Sequence, residues 1–149
     1  MDDLREVCGK YGVPIVEDAA QAIGSEDAGR RAGSMSEIGC FSFYPSKNLG
    51  GMGDGGMMTT NDEDLANKLF ALRNHGMAVR YYHQWVGINS RLDGFQGAVL
   101  RVKLKYLDDW SAKRKANTDR YRKLFTDAGL TEQITLPFER ENVRHIYNQ

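Results

Sequence analysis

The sequence has no long hydrophobic run, only two cysteines and no net charge, and each absence excludes a class of protein. No segment approaches the roughly 18 apolar residues that a membrane-spanning helix needs, and the first ten residues contain no signal-peptide core. Cys8 and Cys40 fit neither a spaced metal motif nor a disulfide framework. Twenty basic and twenty acidic side chains cancel, so no overall field attracts nucleic acid or an anionic membrane. We therefore expect a cytoplasmic protein with no metal, nucleic-acid or membrane partner.

What is present is an ordinary globular composition, with 41% hydrophobic and 27% charged residues in a chain of 149. Periodicity and turn residues predict a series of helices and strands. In chain order, these are helix 2–11, buried strand 13–16, surface segment 24–36, buried strand 38–44, strand 57–60, helix 61–74, irregular segment 77–91 and helical region 92–128. This alternation predicts an α/β fold with a parallel sheet.

The predicted helices have defined ends and faces. Asn61 is the expected N-cap of the second helix, and His75-Gly76 is its expected end. In the last helical region the apolar residues are expected to share one side: Leu92, Phe95, Val99, Val102 and Tyr106. Basic residues are frequent there but alternate with acids, which indicates a solvated face rather than a nucleic-acid surface.

Lys47 is the strongest candidate for chemistry. It follows a predicted buried strand and precedes Gly50–Gly56, a segment of seven residues of which five are glycine. A lysine amine attacks a carbonyl only when it is unprotonated, which requires burial or a nearby cation to lower its pKa. The crevice at the end of a strand can provide that burial. The alternative is an ordinary solvent-facing lysine beside a flexible glycine loop.

Three polar residues lie near the ends of the same predicted strands. Asp18 and Gln21 share a face if a helical turn begins at Asp18, and one ligand could then meet both a carboxylate and an amide. Ser42 could donate a hydrogen bond to a phosphate near Lys47. Each has a structural alternative, since Asp18 could cap a helix and Ser42 could bond to neighbouring backbone.

Asn89 and Arg91 precede the last helical region. Such a junction could meet a phosphate or a carboxylate, with Arg91 providing bidentate geometry. Capping of the following helix by Asn89 or Ser90 is the alternative. The three histidines lack metal-ligand spacing, so no metal ligands are expected.

Taken together, five segments in order resemble the DegT/StrS-type sugar-nucleotide aminotransferases, which depend on pyridoxal phosphate. The matching segments are PIVEDAAQA at 14–22, FSFYPSKNLG at 41–50, GMGDGG at 51–56, LRNHG at 72–76 and GINSRLD at 87–93. The resemblance runs from about residue 3 to the end of the chain.

The resemblance implies a role for each candidate residue. Lys47 would hold pyridoxal phosphate as a Schiff base and then move a proton between substrate and cofactor. Asp18 would pair with the pyridine nitrogen, Gln21 would contact the ring hydroxyl, and Ser42 would bind the cofactor phosphate. Asn89 would reach the phosphate bound by the other subunit of a homodimer, while the role of Arg91 stays open.

The implied reaction is amino transfer from glutamate to a nucleotide-linked keto-sugar, for polysaccharide or natural-product synthesis. The implied fold is the aspartate aminotransferase-like fold type I. Residues 1–100 would form part of its large α/β domain, and 101–149 a connecting helix and the start of the small C-terminal domain. On this basis the chain is expected to be incomplete. Two alternatives remain, a non-catalytic cofactor-binding or regulatory module of the same fold, and a nucleotide-binding α/β domain.

Overall fold

The computed structural model describes residues 1–149, which form four α-helices and eight short strands. The helices are α1 (Asp2–Lys10), α2 (Glu63–Leu72), α3 (Gly94–Leu104) and α4 (Leu107–Asp127). The strands are β1 (Val16–Asp18), β2 (Glu26–Asp27), β3 (Arg30–Arg31), β4 (Ile38–Ser42), β5 (Gly56–Thr59), β6 (Met77–Val79), β7 (Tyr82–His83) and β8 (Val143–Arg144). The mixed α/β architecture agrees with the class that the sequence pattern predicts.

The main sheet has three strands in the order β1-β4-β5. β1 and β4 run parallel, with Val16 opposite Ile38 and Asp18 opposite Cys40. β5 runs antiparallel to β4 and places Gly56 opposite Ser42. The carboxyl ends of β1 and β4 therefore lie at the same edge of the sheet.

Two smaller sheets flank the main one. β2 forms a hairpin with β3 and also pairs with β8, so the end of the chain returns to the segment that follows β1. β6 and β7 form a separate hairpin with a register irregularity. Segment 24–36 was expected to be a surface loop, but it contains the first hairpin because its backbone groups find partners in β8.

The core below the strand ends is formed by helices α3 and α4 and the segment that follows β4. Leu100 and Leu107 pack against Phe43 and Leu49, and all four side chains are buried. In the sequence, Lys47 lies between Phe43 and Leu49. The chain segment that carries Lys47 is thus anchored on either side by apolar burial.

Several details differ from the sequence predictions. The first strand begins at Val16 and not at residue 13, and Val16 is 61% exposed because β1 lies at the edge of the sheet. The cap of α2 is Asp62, whose carboxylate accepts a hydrogen bond from the backbone N–H of Leu65, and not Asn61. Both shifts arise from pairing and capping geometry that periodicity does not encode.

The last helical region differs most. It breaks at residues 105–106 into α3 and α4, and the side that the apolar pattern predicts is largely exposed. Phe95 and Val102 are exposed, whereas Leu100 is buried. The predicted boundary between residues 100 and 101 lies inside α3. No helix of the structure combines the length and the apolar character that crossing a membrane would require.

Candidate active site

The carboxyl edge of the main sheet brings together two of the candidate residues. Asp18 is the last residue of β1 and Ser42 the last residue of β4. Because Asp18 lies opposite Cys40 in parallel register, Ser42 projects two residues further along the same edge. Polar groups at this edge of a parallel pair face the crevice in which α/β proteins bind ligands.

Lys47 lies in a short, tightly closed loop after β4. Its backbone N–H donates to the carbonyl of Tyr44 at 2.9 Å, and the N–H of Gly51 donates to the carbonyl of Phe43 at 2.7 Å. A side chain at Gly50 would overlap the backbone of Pro45, so only glycine allows the loop to close at that point. Close approach of the backbone at residues 45 and 50 thus accounts for glycine at this position.

The Lys47 side chain is half-buried. Its Nζ takes part in no hydrogen bond and no ion pair, whereas Lys10, Lys113 and Lys123 each pair with a carboxylate of their own helix. The amine of Lys47 is therefore left without a protein partner.

Asp18 and Gln21 lie in a turn, because no helix begins at Asp18. The carbonyl of Ala19 accepts from the N–H of Ala22 at 3.0 Å, and Asp18 Oδ1 accepts from the N–H of Ala20 at 3.0 Å. The second carboxylate oxygen of Asp18 has no partner. Gln21 is exposed, and its amide makes no hydrogen bond. It lines a cavity of about 520 Å³ that the C-terminal segment closes.

Ser42 retains a free hydroxyl proton. Its Oγ accepts a hydrogen bond from the N–H of Tyr44 at 3.2 Å, which is the local backbone bond that the structural alternative predicted. The hydroxyl donates to no protein group. A serine that accepts from the backbone and still has its proton free can donate that proton to a phosphate oxygen.

Asn89 belongs to a different part of the fold. It forms an isolated bridge with Asn74, at the end of α2, and its Oδ1 accepts from Nε of Arg91 at 3.0 Å. Neither Asn89 nor Ser90 caps α3, since Asp93 is the N-cap residue. The structure thus places Asp18 and Ser42 at one edge of the sheet and Lys47 in the loop that follows β4, whereas Asn89 makes no hydrogen bond with that loop.

Sequence reasoning missed three residues around the loop. Asn48 is only 4% exposed, and both polar atoms of its side chain lack a hydrogen-bond partner. Buried polar groups are almost always paired, so the amide needs a partner from outside residues 1–149. Gln96 and Lys103 of α3 hydrogen-bond to the backbone at Met52 and Gly50. Only the glycine cluster itself gave a signal that another group approaches closely.

A wider cleft of about 930 Å³ lies between β5, α2 and residues 90–93. Arg73 and Arg91 provide two cations there, and half of the lining residues are hydrophobic. Lys47, Asp18 and Ser42 do not line it. A choice of candidate site by cavity volume alone would therefore have pointed to this cleft and not to the region of Lys47.

Comparison with known proteins shows which family of proteins this chain resembles. The chain is 51% identical over 121 residues to the dTDP-3-amino-3,4,6-trideoxy-α-D-glucose transaminase of Streptomyces venezuelae, covering 81% of this chain and 32% of that protein. It is 45% identical over 139 residues to the erythromycin biosynthesis sensory transduction protein EryC1 of Saccharopolyspora erythraea, covering 93% and 38%. The structure of NtdA from Bacillus subtilis with bound PMP cofactor superposes with a TM-score of 0.86 at 31% identity, covering 99% and 33%.

The chain thus spans between 32% and 38% of the length of these three proteins. A DegT DnrJ EryC1 StrS aminotransferase from Brucella abortus superposes with a TM-score of 0.91 at 36% identity, covering 99% of this chain and 39% of that one, in agreement with the aminotransferase fold that the resemblance implied. The DegT/DnrJ/EryC1/StrS aminotransferase family model matches residues 1–149, and the chain belongs to this family.

Proposed function

We propose that this chain carries the lysine-bearing core of a pyridoxal-phosphate-dependent aminotransferase that moves an amino group from glutamate to a nucleotide-linked keto-sugar. The observation that carries the proposal is Lys47, a half-buried residue whose amine has no protein partner and which follows the strand edge where Asp18 and Ser42 lie. A structural lysine would be paired with a carboxylate or directed into solvent. An unpaired amine in a closed loop is available to a ligand.

The free groups at this edge match the chemistry of the cofactor. They are one amine, one unpaired carboxylate oxygen, one hydroxyl proton and one unpaired side-chain amide, at Lys47, Asp18, Ser42 and Gln21. A pyridine nitrogen needs an acceptor, a phosphate needs donors, and an aldehyde needs an amine. The set therefore fits pyridoxal phosphate, which supplies a reactive aldehyde and an electron-withdrawing ring when it is bound.

Each side chain then has a defined task. Lys47 Nζ would hold the cofactor and would carry a proton to and from the reacting carbon. The free oxygen of Asp18 would favour the protonated form of the pyridine nitrogen. Ser42 Oγ would donate to a phosphate oxygen, and Gln21 would offer its amide to the ring hydroxyl. The closed loop around Lys47 limits the positions that Nζ can reach.

The substrate class follows from the family and from the relative named as a dTDP-amino-sugar transaminase. A nucleotide-linked sugar is a donor for glycosyl transfer, so we assign the reaction to a step before such transfer, for example in polysaccharide synthesis. We place the protein in the cytoplasm, where free thiols such as Cys8 and Cys40 persist. Residues 1–100 are proposed as part of the large domain, and 101–149 as the connection to the small one.

We also propose a homodimer with a shared site. The β6–β7 hairpin and the residues that follow it expose six large hydrophobic side chains: Val79, Tyr81, Tyr82, Trp85, Val86 and Ile88. Val86 is 99% exposed, and a concentration of exposed apolar side chains in one segment is typical of an interface. Asn89 follows directly, so pairing of this surface with a second copy would direct Asn89 toward the partner's cofactor phosphate.

The test is borohydride reduction of the cofactor-loaded protein at its natural length, followed by peptide mass spectrometry. We expect the reduced cofactor on Lys47. Lys68 provides a matched control, because it is exposed and unpaired on α2. Lys47→Ala should abolish both the adduct and amino transfer from glutamate, whereas Lys68→Ala should change neither.

Amino transfer by the Lys47→Ala variant at wild-type rate would refute the proposal. An adduct on Lys47 without transfer to any nucleotide-linked keto-sugar would instead favour a regulatory module. The name of EryC1, a sensory transduction protein, is an observation in favour of that second function. The two functions are therefore separated by turnover and not by cofactor binding.

A further inference from the structure

Helix α3 contacts the Lys47 loop through three side chains on one face. Gln96, Leu100 and Lys103 are spaced at i, i+4 and i+7, which places them on the same side of a helix. The central residue packs into the core with Phe43 and Leu49, the two residues that flank the loop. The outer two make polar contacts with the glycine segment that follows Lys47.

The polar contacts fix the backbone directly. Gln96 Oε1 accepts a hydrogen bond from the N–H of Met52 at 2.7 Å, and Lys103 Nζ donates to the carbonyl of Gly50. A Cβ atom at Gly51 would lie 2.6 Å from Gln96 Oε1, so the amide lies flat against the loop backbone. A side chain at Gly51 would therefore push the Gln96 amide away from the loop backbone.

We infer that Gln96 is a positioning residue for Lys47, with Lys103 as its second anchor. Neither side chain touches the amine itself. They act on residues 50–52, whose backbone also closes the loop through the bond between Gly51 and Phe43. Without the hydrogen bond from the N–H of Met52 to Gln96, residues 50–52 would keep the Gly51–Phe43 backbone bond and the Lys103 contact but would lose one of their directional constraints, and Nζ would sample a wider range of positions. The inference rests on the proposed function of Lys47.

The test compares Gln96→Leu, which removes the acceptor, with Gln96→Glu, which keeps an oxygen for the N–H of Met52. Gln133→Leu is the matched control, since Gln133 is exposed and its side chain makes no hydrogen bond. In the natural-length protein we expect Gln96→Leu to lower kcat by roughly tenfold to a hundredfold, because small misplacement of a catalytic group has effects of this size. KM for glutamate should stay within about twofold of the wild-type value, because the hydrogen bond between Gln96 and Met52 positions Lys47 and does not bind substrate. Gln96→Glu should restore most of the rate.

A second readout does not depend on activity. Hydrogen exchange of the apoprotein should show faster exchange in residues 50–53 of Gln96→Leu, and unchanged exchange in Gln96→Glu and Gln133→Leu. Unchanged exchange and unchanged kcat in Gln96→Leu would overturn the inference, as would equal loss in the leucine and glutamate variants. If activity depends on Lys47 but is unchanged in Gln96→Leu, the proposed function stands and only the positioning role of Gln96 is refuted.

Discussion

Leu100→Ala tests the core that supports the Lys47 loop. Leu100 is 7% exposed and packs with Phe43, Leu49 and Leu107. The substitution removes three carbon atoms, so at about 0.8 kcal/mol for each buried methylene the transfer cost alone is about 2.4 kcal/mol. The cavity left behind raises the expected loss of unfolding free energy to about 3–4 kcal/mol, inside the range known for buried leucines.

The assay is chemical denaturation of the apoprotein, with the midpoint and the slope measured separately. Leu100→Met is the matched control, because it nearly conserves volume and should cost less than about 1.5 kcal/mol. Because Leu49 lies two residues after Lys47, the alanine variant should also bind cofactor more weakly than the methionine variant. A loss below about 1 kcal/mol for Leu100→Ala at unchanged slope would refute the packing described for α3.

Three further predictions concern other contacts. Gly50→Ala should prevent closure of the Lys47 loop, because its Cβ would overlap the backbone of Pro45; normal cofactor binding in spectroscopic titration would contradict this. Val86→Asp should shift the proposed homodimer toward monomer in light scattering, because it places a charge in the exposed apolar surface. The hydrogen bond from Arg144 lowers the pKa of Asp108, so this pair contributes stability above the ordinary carboxyl pKa that is lost as pH falls through the lowered pKa. Asp108→Asn should therefore cost up to about 1 kcal/mol at neutral pH, in keeping with its exposed position, and nothing at pH values below the lowered pKa, as measured by denaturation.

Local patterns predicted most of the elements that position the site. The helix at residues 2–10, the strand before Lys47 and the strand after the glycine cluster follow from short-range periodicity and turn residues, whereas the antiparallel direction of that last strand departs from the parallel sheet that the pattern predicts. The candidate residues Asp18, Ser42 and Lys47 were found because they lie near the ends of predicted strands. Their proposed roles in cofactor binding stay predictions until the substitutions are made.

The other features of the fold could not be predicted, because they depend on contacts between distant segments of the chain. Val16 has the composition of a buried strand, but its exposure is decided by its position at the edge of the sheet. In the last helical region the apolar pattern fits several faces, and Leu100 is buried only because Phe43 and Leu49 lie against it. Gln96 contacts a residue 44 positions earlier in the chain, a separation that no window of local sequence includes.

The sequence by itself determined the chemistry available to this protein, because residue type and strand-end position select an amine, a carboxylate and a hydroxyl as candidates. The tertiary structure decided which of these groups are free. Whether Lys47 has a partner, whether Asn48 is satisfied and what fixes the loop at Met52 depend on atoms brought together from distant segments. Hydrogen bonding and burial act over a few ångströms in space, and that proximity is created only when the chain folds.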